Sequence, residues 1–403
     1  MVGHPPLSWL KGSGPDGVAY AHVTIHSIQH LRGIAAIGVV YFHTKVYLAD
    51  FIWPLGRQFG YGGVDLFFVI SGLIMMVTTF DGRETPGSFY SKRILRVVPL
   101  YWAATLACVA LFVIVPSAFL KQSASVQHVL LSMLFVPHSS PGEAGAAPFL
   151  KIGWTLNFEM FFYFVFGLTL WMRNAKWRLA VIAVLFAALV TAGAIFEPRN
   201  AALAYYTSPF VLEFLMGAAI GYLACTGALG KVRAGFAVLA AGTAAALALA
   251  FGGGQGDGLA RTVIFGIPAA VIVAAAIACE QRGWRLRSSL LERLGDASYS
   301  IYLVHPFVLT AIRMGAKLLP FSPQSPLVGA CVVVLAVTLS IFGGYLVFRC
   351  FERPVLGAMK RVWPGRGVRT RHTNSHEPSV PAISSPSLAG YASTGDPYAG
   401  RSR

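Results

Sequence analysis

The stretch GYGGVDLFFVISGLIMMVTTF, residues 60–80, decides the fold class of this chain. Its 21 residues carry one charged side chain, that of Asp65. An α-helix of that length rises roughly 30 Å, which is the thickness of the hydrocarbon core of a bilayer. The stretch therefore predicts a helix that crosses a membrane.

Similar apolar runs recur on both sides of this one. They lie at 31–48, 97–117, 152–172, 178–196, 205–225, 233–251, 259–280, 298–318 and 327–349. The run at 126–137 is too short to cross and predicts an interfacial or re-entrant helix. Together the runs predict an all-α fold, a polytopic transmembrane helical bundle of about ten spans.

The composition excludes a soluble globular protein. Of the 403 residues, 56% are hydrophobic and only 12% are charged, about half the charged share of an average soluble domain. The net charge of +16 would suggest a nucleic-acid partner in a soluble protein. In a membrane protein the same excess is typical of basic cytoplasmic loops, so no nucleic-acid partner is predicted.

The distribution of basic residues predicts an orientation. With the N-terminus in the cytoplasm, 24 of the 32 lysines and arginines fall in inner segments. This bias supports an even number of spans, cytoplasmic termini and a multi-pass protein of the cell inner membrane. A polar cytoplasmic leader (1–25) then precedes the transmembrane domain (26–356), and a basic, disordered cytoplasmic tail (357–403) follows it.

Ionisable residues inside predicted spans are candidates for function, because burying a charge in lipid is unfavourable. His43, Asp65 and Glu159 fall in three spans, each roughly 7–11 Å below the outer surface. A carboxylate beside an imidazole fixes its tautomer, which suits a general base. These residues are candidate catalytic groups, and the alternative for each is a hydrogen bond that braces two helices. Asp65 with Gly62 and Gly63 is also typical of a helix start.

Three arginines are candidates for binding a phosphate-bearing cofactor. Arg32 lies eleven residues before His43, close to three helical turns, so the two share one face, which predicts a polar cavity. Arg93 and Arg96 lie three residues apart where the third span begins. Two guanidiniums beside free helix amides suit a phosphate group, although ordinary positive-inside residues give the same pattern.

The ninth span carries a polar stripe. Ser298, Tyr302 and His305 are spaced i, i+4 and i+7, so they face the same side of the helix. Tyr302 and His305 are candidate walls of a substrate channel, and for His305 a structural role is an equal alternative. The five cysteines show no metal-ligand spacing, and no metal site is predicted.

Five blocks of sequence resemble the membrane acyltransferase-3 family and occur in the family's order. They are residues 31–36 leading to His43, then 62–72, 93–96, 153–159 and 298–306. The likeness covers roughly residues 26–356. The form WTLNFEMFFY at 154–163 is most similar to the exopolysaccharide-production O-acetyltransferases of that family.

The resemblance implies an activity, a donor and site residues. Members of the family transfer an acyl group, commonly acetyl from cytoplasmic acetyl-CoA, to a hydroxyl of a glycan or lipid-linked sugar. The family's intramembrane histidine corresponds to His43, its Arg-x-x-Arg pair to Arg93 and Arg96, and its fourth-span glutamate to Glu159. We therefore expect an O-acyltransferase that is surrounded by membrane lipid, uses acyl-CoA, needs no metal and modifies a cell-surface or exported carbohydrate.

Two routes and one rival class stay open at this point. His43, oriented by Glu159, either deprotonates the acceptor hydroxyl or accepts the acyl group itself and relays it. The rival is a transporter or flippase of a polar or lipid-linked substrate, which would also need charges inside the membrane. The lack of an internal sequence repeat disfavours the transporter.

Overall fold

The computed structural model describes residues 25–48, 60–116, 125–141, 146–251, 258–317 and 326–362. Within these ranges the regular secondary structure is helical, and an isolated β-bridge joins Ser139 to Ala146. The predicted all-α class is confirmed.

The helices follow one another along the described ranges with short connections. They are α1 (His26–Tyr47), α2 (Gly63–Thr79), α3 (Pro86–Ile114), α4 (Val126–Met133), α5 (Trp154–Leu168), α6 (Ala175–Phe196), α7 (Ala201–Tyr206), α8 (Val211–Cys225), α9 (Ala234–Phe251), α10 (Leu259–Arg261), α11 (Ile267–Gln281), α12 (Ser289–Lys317), α13 (Pro326–Val347) and α14 (Arg353–Val362). Two π-helical turns join neighbours, Thr262–Gly266 before α11 and Phe348–Glu352 between α13 and α14.

Several helical segments are long and apolar enough to cross a membrane. In the described ranges there are 6 of these: Pro86–Ile114, Ala175–Phe196, Ala201–Cys225, Ala234–Phe251, Leu259–Gln281 and Leu327–Met359. The other four predicted runs form α1, α2, α5 and α12, which are shorter or more polar. Their assignment as spans, and with it the count of about ten and the orientation, stays a prediction.

Local signals set where the helices begin. α3 starts at Pro86, and the Thr85 side chain before it accepts a hydrogen bond from the Ser88 amide (3.3 Å). Proline suits the first turn because its missing N–H would have no partner there. Asn174 caps α6 by accepting from the Lys176 amide (2.9 Å). Both caps lie in predicted inner loops, so α3 and α6 start from fixed points on the same side of the bundle.

Several helix pairs approach so closely that only glycine fits at the contact, among them α2 with α8 and α1 with α12. A Cβ on Gly72 of α2 would lie 2.0 Å from the Phe214 carbonyl oxygen of α8. A Cβ on Gly295 of α12 would lie 2.1 Å from the Gln29 carbonyl oxygen of α1. Small residues at such contacts are typical of helix packing in lipid, where backbones gain dispersion energy by close approach.

An aromatic core joins α5 to the pair formed by α2 and α8. The ring of Phe214 stacks on those of Phe68 and Phe162, with centroids 4.6 Å apart in each pair. All three side chains are buried. Stacked aromatic rings contribute beyond their buried area, so this core fixes α5 against the α2–α8 pair and positions the polar residues that α5 carries.

The predicted domain boundary at residue 356 falls inside α14, which continues to Val362. The first residues of the predicted tail, 357–362, are therefore helical. Leader residues 1–24 and tail residues 363–403 lie outside the described residues, and what the sequence predicts for them stays a prediction.

Candidate active site

A cavity whose largely apolar wall carries several charged and polar side chains lies between α1, α2, α3, α5 and α12. It encloses about 130 Å³. Its polar lining consists of Arg32, Ser71, Arg93, Arg96, Thr155, Glu159, Tyr163, Ser298, Tyr299 and Tyr302. On α2 the lining extends from Val64 to Met75, so the cavity runs roughly 16 Å along the helix. The three arginines predicted from the sequence thus line one cavity.

Two of these arginines already have partners. Arg32 donates a hydrogen bond to the Ser298 hydroxyl (3.0 Å). Arg96 forms an ion pair with Glu352, whose side chain is 2% exposed, and the Ser300 hydroxyl donates to the same carboxylate. An incoming anion would have to compete with Glu352 for Arg96.

The contacts of the Arg93 guanidinium differ from those of Arg32 and Arg96. Its guanidinium carbon lies 5.4 Å from the Phe89 ring centroid and 5.9 Å from the Tyr163 ring centroid. Its Nη2 is 3.4 Å from the Thr78 hydroxyl, and its buried Nε has no hydrogen-bond partner among the residues that the structure describes. Among the described residues no carboxylate pairs with it. Of the three guanidiniums, that of Arg93 is the most available to an anion.

Glu159 also lies in the wall of this cavity. It accepts hydrogen bonds from the Tyr163 hydroxyl, one turn along α5, and from the Ser71 hydroxyl of α2 (3.3 Å). It is also within electrostatic range of Arg32. No hydrogen bond joins it to His43 within the described ranges. The geometry therefore groups Glu159 with the arginines and does not bring it together with His43.

His43 lies just beyond the end of the cavity at which α2 begins, beside His305. The Val39 side chain meets Gly63 at the start of α2, which puts His43 one turn, about 6 Å, beyond that end. The rings of His43 and His305 have centroids 4.8 Å apart, and the His305 ring lies 5.8 Å from that of Tyr302. Because Tyr302 lines the cavity, a row of three rings connects the cavity to His43.

Hydrogen bonding distinguishes the two ring nitrogens of His43. Nδ1 lies 2.9 Å from the Val39 carbonyl oxygen, which can only accept, so Nδ1 carries the proton. Nε2 keeps its lone pair and can act as a base or a nucleophile. His305 is fully buried, and neither of its ring nitrogens makes a hydrogen bond of normal geometry to the described residues. Buried polar groups without partners are rare and cluster at functional sites.

Asp65 lies apart from the histidines, in a buried ion pair. Its carboxylate oxygens accept from Nη2 (2.8 Å) and Nε (3.2 Å) of Arg261. The same guanidinium lies over the ring of Tyr61, 4.0 Å from the centroid. Glu213 of α8 interacts with both members of the pair, and Gly266 leaves space for its carboxylate. This ion pair gives Asp65 a structural role as an alternative to the predicted catalytic one.

Replacing Asp65 with asparagine is expected to destabilise the fold by about 3 kcal/mol, because Arg261 would lose its buried partner. This value is the lower end of the stability loss expected when one member of a buried ion pair is removed, because Glu213 stays beside Arg261. The double variant Asp65→Asn/Arg261→Met should recover most of the loss. Thermal unfolding in detergent measures both. If Asp65→Asn keeps wild-type stability but loses activity, the structural interpretation is wrong.

Glu213 and Glu352 complete these clusters and are absent from the sequence prediction. Glu213 is the only charged side chain in the predicted span 205–225, so the rule that selects Glu159 would also select it. Glu352 follows the last predicted span, where an acid is expected to be solvated. No sequence signal indicates that it turns inward to Arg96.

The chain is similar to one domain family and to several named proteins. The acyltransferase domain family Acyl_transf_3 matches residues 25–345, a range that includes every cavity-lining residue and both histidines. Exopolysaccharide production protein ExoZ of Rhizobium meliloti (strain 1021) is 38% identical over 319 residues, which cover 76% of this chain and 93% of ExoZ. No solved structure matches the chain.

Two further relatives are more distant. Acyltransferase MdmB of Streptomyces mycarofaciens is 27% identical over 380 residues, covering 85% of this chain and 94% of MdmB. Peptidoglycan O-acetyltransferase OatA of Listeria monocytogenes is 27% identical over 180 residues, covering 40% of this chain and 28% of OatA.

Proposed function

Because this chain belongs to the acyltransferase-3 family, we propose that it transfers an acetyl group from cytoplasmic acetyl-CoA to a hydroxyl of an exported or cell-surface carbohydrate. The similarity to an exopolysaccharide production protein supports a glycan acceptor. The observation that carries the proposal is the cavity, with three arginines in its wall and two adjacent histidines beyond the end at which α2 begins.

The arginines suit a donor that carries phosphate groups. A guanidinium binds phosphate oxygens through a rigid fork of N–H donors. Arg93 forms no ion pair with a carboxylate within the described ranges, and Glu159 of the same cavity wall interacts with it only at longer range. Arg96 becomes available when a phosphate replaces Glu352. The cavity of about 130 Å³ is smaller than an ordinary ligand site of roughly 300–1,000 Å³. It therefore takes the acyl thioester end of the donor, while the nucleotide stays at the cytoplasmic side.

In a direct route, His43 acts as general base. Its Nε2 takes the proton of the acceptor hydroxyl, and the hydroxyl oxygen attacks the thioester carbonyl carbon. The C–S bond breaks, and the CoA thiolate receives the proton from the imidazolium. His305 lies beside this centre without another hydrogen-bond partner of normal geometry in the described ranges, and it donates to the developing oxyanion.

In a relay route, His43 is the nucleophile. Its Nε2 attacks the thioester carbonyl, the C–S bond breaks, and CoA leaves as the thiol with the proton that Nδ1 releases. The acceptor hydroxyl then attacks the acyl-imidazole from the outer side and returns its proton to the ring. Both routes release one CoA thiol for each acyl group. Only the relay acylates the protein in the absence of acceptor.

Neither route assigns a step to Asp65. Glu159 supports the donor site by holding Tyr163 and Ser71 in the wall beside the arginines. The predicted orientation, with both termini cytoplasmic in the inner membrane, puts Arg93 and Arg96 on the donor side because α3 begins in an inner loop.

The test is release of free CoA thiol by purified protein in lipid nanodiscs, with acetyl-CoA and a panel of glycan acceptors. We expect thiol release that depends on the acceptor, together with a stoichiometric ester on the glycan. If the protein moves a glycan across vesicle membranes without consuming acetyl-CoA, the proposed function is wrong and the transporter is favoured.

A further inference from the structure

Among the described residues, a groove at the end of α14 is lined by three arginines and no acid. It has a volume of about 500 Å³ and is lined by Arg349, Arg353, Pro354, Gly357, Ala358 and Arg361. All three arginine side chains belong to exposed residues, and no carboxylate pairs with any of them in the described ranges. We call this surface the arginine groove. None of its residues lines the central cavity.

The position of the arginine groove along the helix matches the level of lipid headgroups. The helix runs without interruption from Pro326 through the π-helical turn to Val362. Arg349 lies roughly 35 Å and Arg353 roughly 40 Å from Pro326 along the axis. The hydrocarbon core of a bilayer is roughly 30 Å thick, and about 40–45 Å with its headgroup layers. The groove therefore begins where the apolar layer ends.

The rotation of the helix also directs the groove away from the protein. Glu352 is buried against Arg96 and fixes one side of the helix inward. Arg349, Arg353 and Arg361 are exposed and line the same groove, so they form one stripe away from the buried side of the helix that Glu352 marks. Gly357 takes position i+8 from Arg349, and a Cβ there would meet no atom of the described residues within 4 Å. The missing side chain leaves the middle of the stripe open.

We propose that the arginine groove binds the phosphate group of an anionic phospholipid. Guanidinium forks match phosphate oxygens in geometry and charge. Basic residues at the cytoplasmic headgroup level attract anionic lipids, and this attraction adds up over several arginines. The outward direction and the headgroup depth favour a lipid over a soluble nucleotide. This ligand is additional to the acyl donor and acceptor, and its binding does not depend on the proposed acyl transfer.

Gly357 provides a matched pair of variants. Gly357→Glu places a carboxylate in the middle of the stripe, whereas Gly357→Ala fills the same space without charge. Native mass spectrometry of the full chain, titrated with dioleoylphosphatidylglycerol or dioleoylphosphatidylcholine, measures binding. Wild type and Gly357→Ala are expected to prefer phosphatidylglycerol equally. Gly357→Glu should bind it about fivefold more weakly, and Arg349→Gln/Arg353→Gln/Arg361→Gln about a hundredfold more weakly.

The outcomes decide the proposal. Equal binding of the two lipids by wild type, or unchanged phosphatidylglycerol binding by the triple arginine variant, would overturn it. Displacement of the bound lipid by adenosine 3′,5′-bisphosphate would also overturn it, and would assign the groove to the acyl donor. If gel filtration and thermal unfolding show that Gly357→Glu does not fold, the triple arginine variant decides the question. Weaker phosphatidylglycerol binding by that variant supports the lipid site, and unchanged binding overturns it. Because the readout is lipid binding, loss of the proposed acyl transfer would not affect it.

Discussion

Replacing His43 with alanine is expected to lower acyl transfer by about 10²–10⁴-fold, the usual contribution of a positioned general base. The Val39 carbonyl holds the proton on Nδ1, so wild-type His43 has a free lone pair on Nε2 and is in the reactive tautomer. The alanine variant loses this lone pair. Donor affinity should stay within twofold of wild type, because His43 does not line the cavity that holds the arginines. Acceptor-dependent CoA release gives the rate, and equilibrium binding of acetyl-CoA gives the affinity.

The matched control is His26→Ala on the same helix. The His26 side chain is 42% exposed and pairs with Glu292 at the other end of α1, so its loss should change neither rate nor affinity. Normal turnover by His43→Ala would exclude both proposed routes. Incubation with radiolabelled acetyl-CoA and no acceptor separates the two routes. The relay predicts that wild type retains the label and that His43→Ala does not, whereas the direct route predicts no label on either protein.

The two arginines of the Arg-x-x-Arg pair are expected to differ when each is replaced by alanine. Arg96→Ala leaves Glu352 as a buried carboxylate without its partner and should destabilise the fold by about 3 kcal/mol. This value is the lower end of the stability loss expected when a buried ion pair is broken, because 30% of the Arg96 side chain is exposed. Arg93→Ala breaks no ion pair in the described ranges. It should weaken acetyl-CoA binding about 10–100-fold with little change in stability, as one charge-assisted hydrogen bond is lost.

A double variant completes this test. Arg96→Leu/Glu352→Leu removes both charges and is expected to restore most of the stability while donor binding stays weak. With the matching single variants Arg96→Leu and Glu352→Leu, unfolding measurements and donor affinities for wild type, the two single variants and the double variant form a double-mutant cycle. Equal losses of stability for Arg93→Ala and Arg96→Ala would contradict the distinction drawn between a paired and an available guanidinium.

Much of the fold could be predicted because a membrane span needs only local information. Each predicted run forms a helix close to its predicted place. The four that fall short of a span by length or hydropathy are α1, α2, α5 and α12, and they carry Arg32, His43, Ser71, Glu159, Tyr302 and His305. Of these, α2 and α5 are apolar but short, with 17 and 15 residues, whereas α1 and α12 are long enough but carry more polar residues. α3 carries Arg93 and Arg96 and still meets both criteria for a span.

The pairings inside the site could be predicted only in part. Helical periodicity correctly put Ser298 and Tyr302 on one face of α12, and both line the cavity. Periodicity does not indicate which distant helix lies opposite that face. Arg96 and Glu352 are 256 residues apart, and Asp65 and Arg261 are 196 apart. For this reason the sequence groups Asp65 with His43, whereas the folded chain pairs it with Arg261, at the start of the predicted span 259–280.

The glycine contacts of α2 with α8 and of α1 with α12 also determine which helices of the bundle can move. Backbones in direct contact cannot slide without a steric clash, so we expect each pair to move as a unit. α3 is joined to α12 by a side chain, through the Tyr299 hydroxyl that donates to the Val97 carbonyl (2.6 Å). We therefore expect the cavity to widen by a tilt of α3. A helix that tilts changes the membrane thickness it spans, so turnover should depend on the lateral pressure and thickness of the surrounding bilayer.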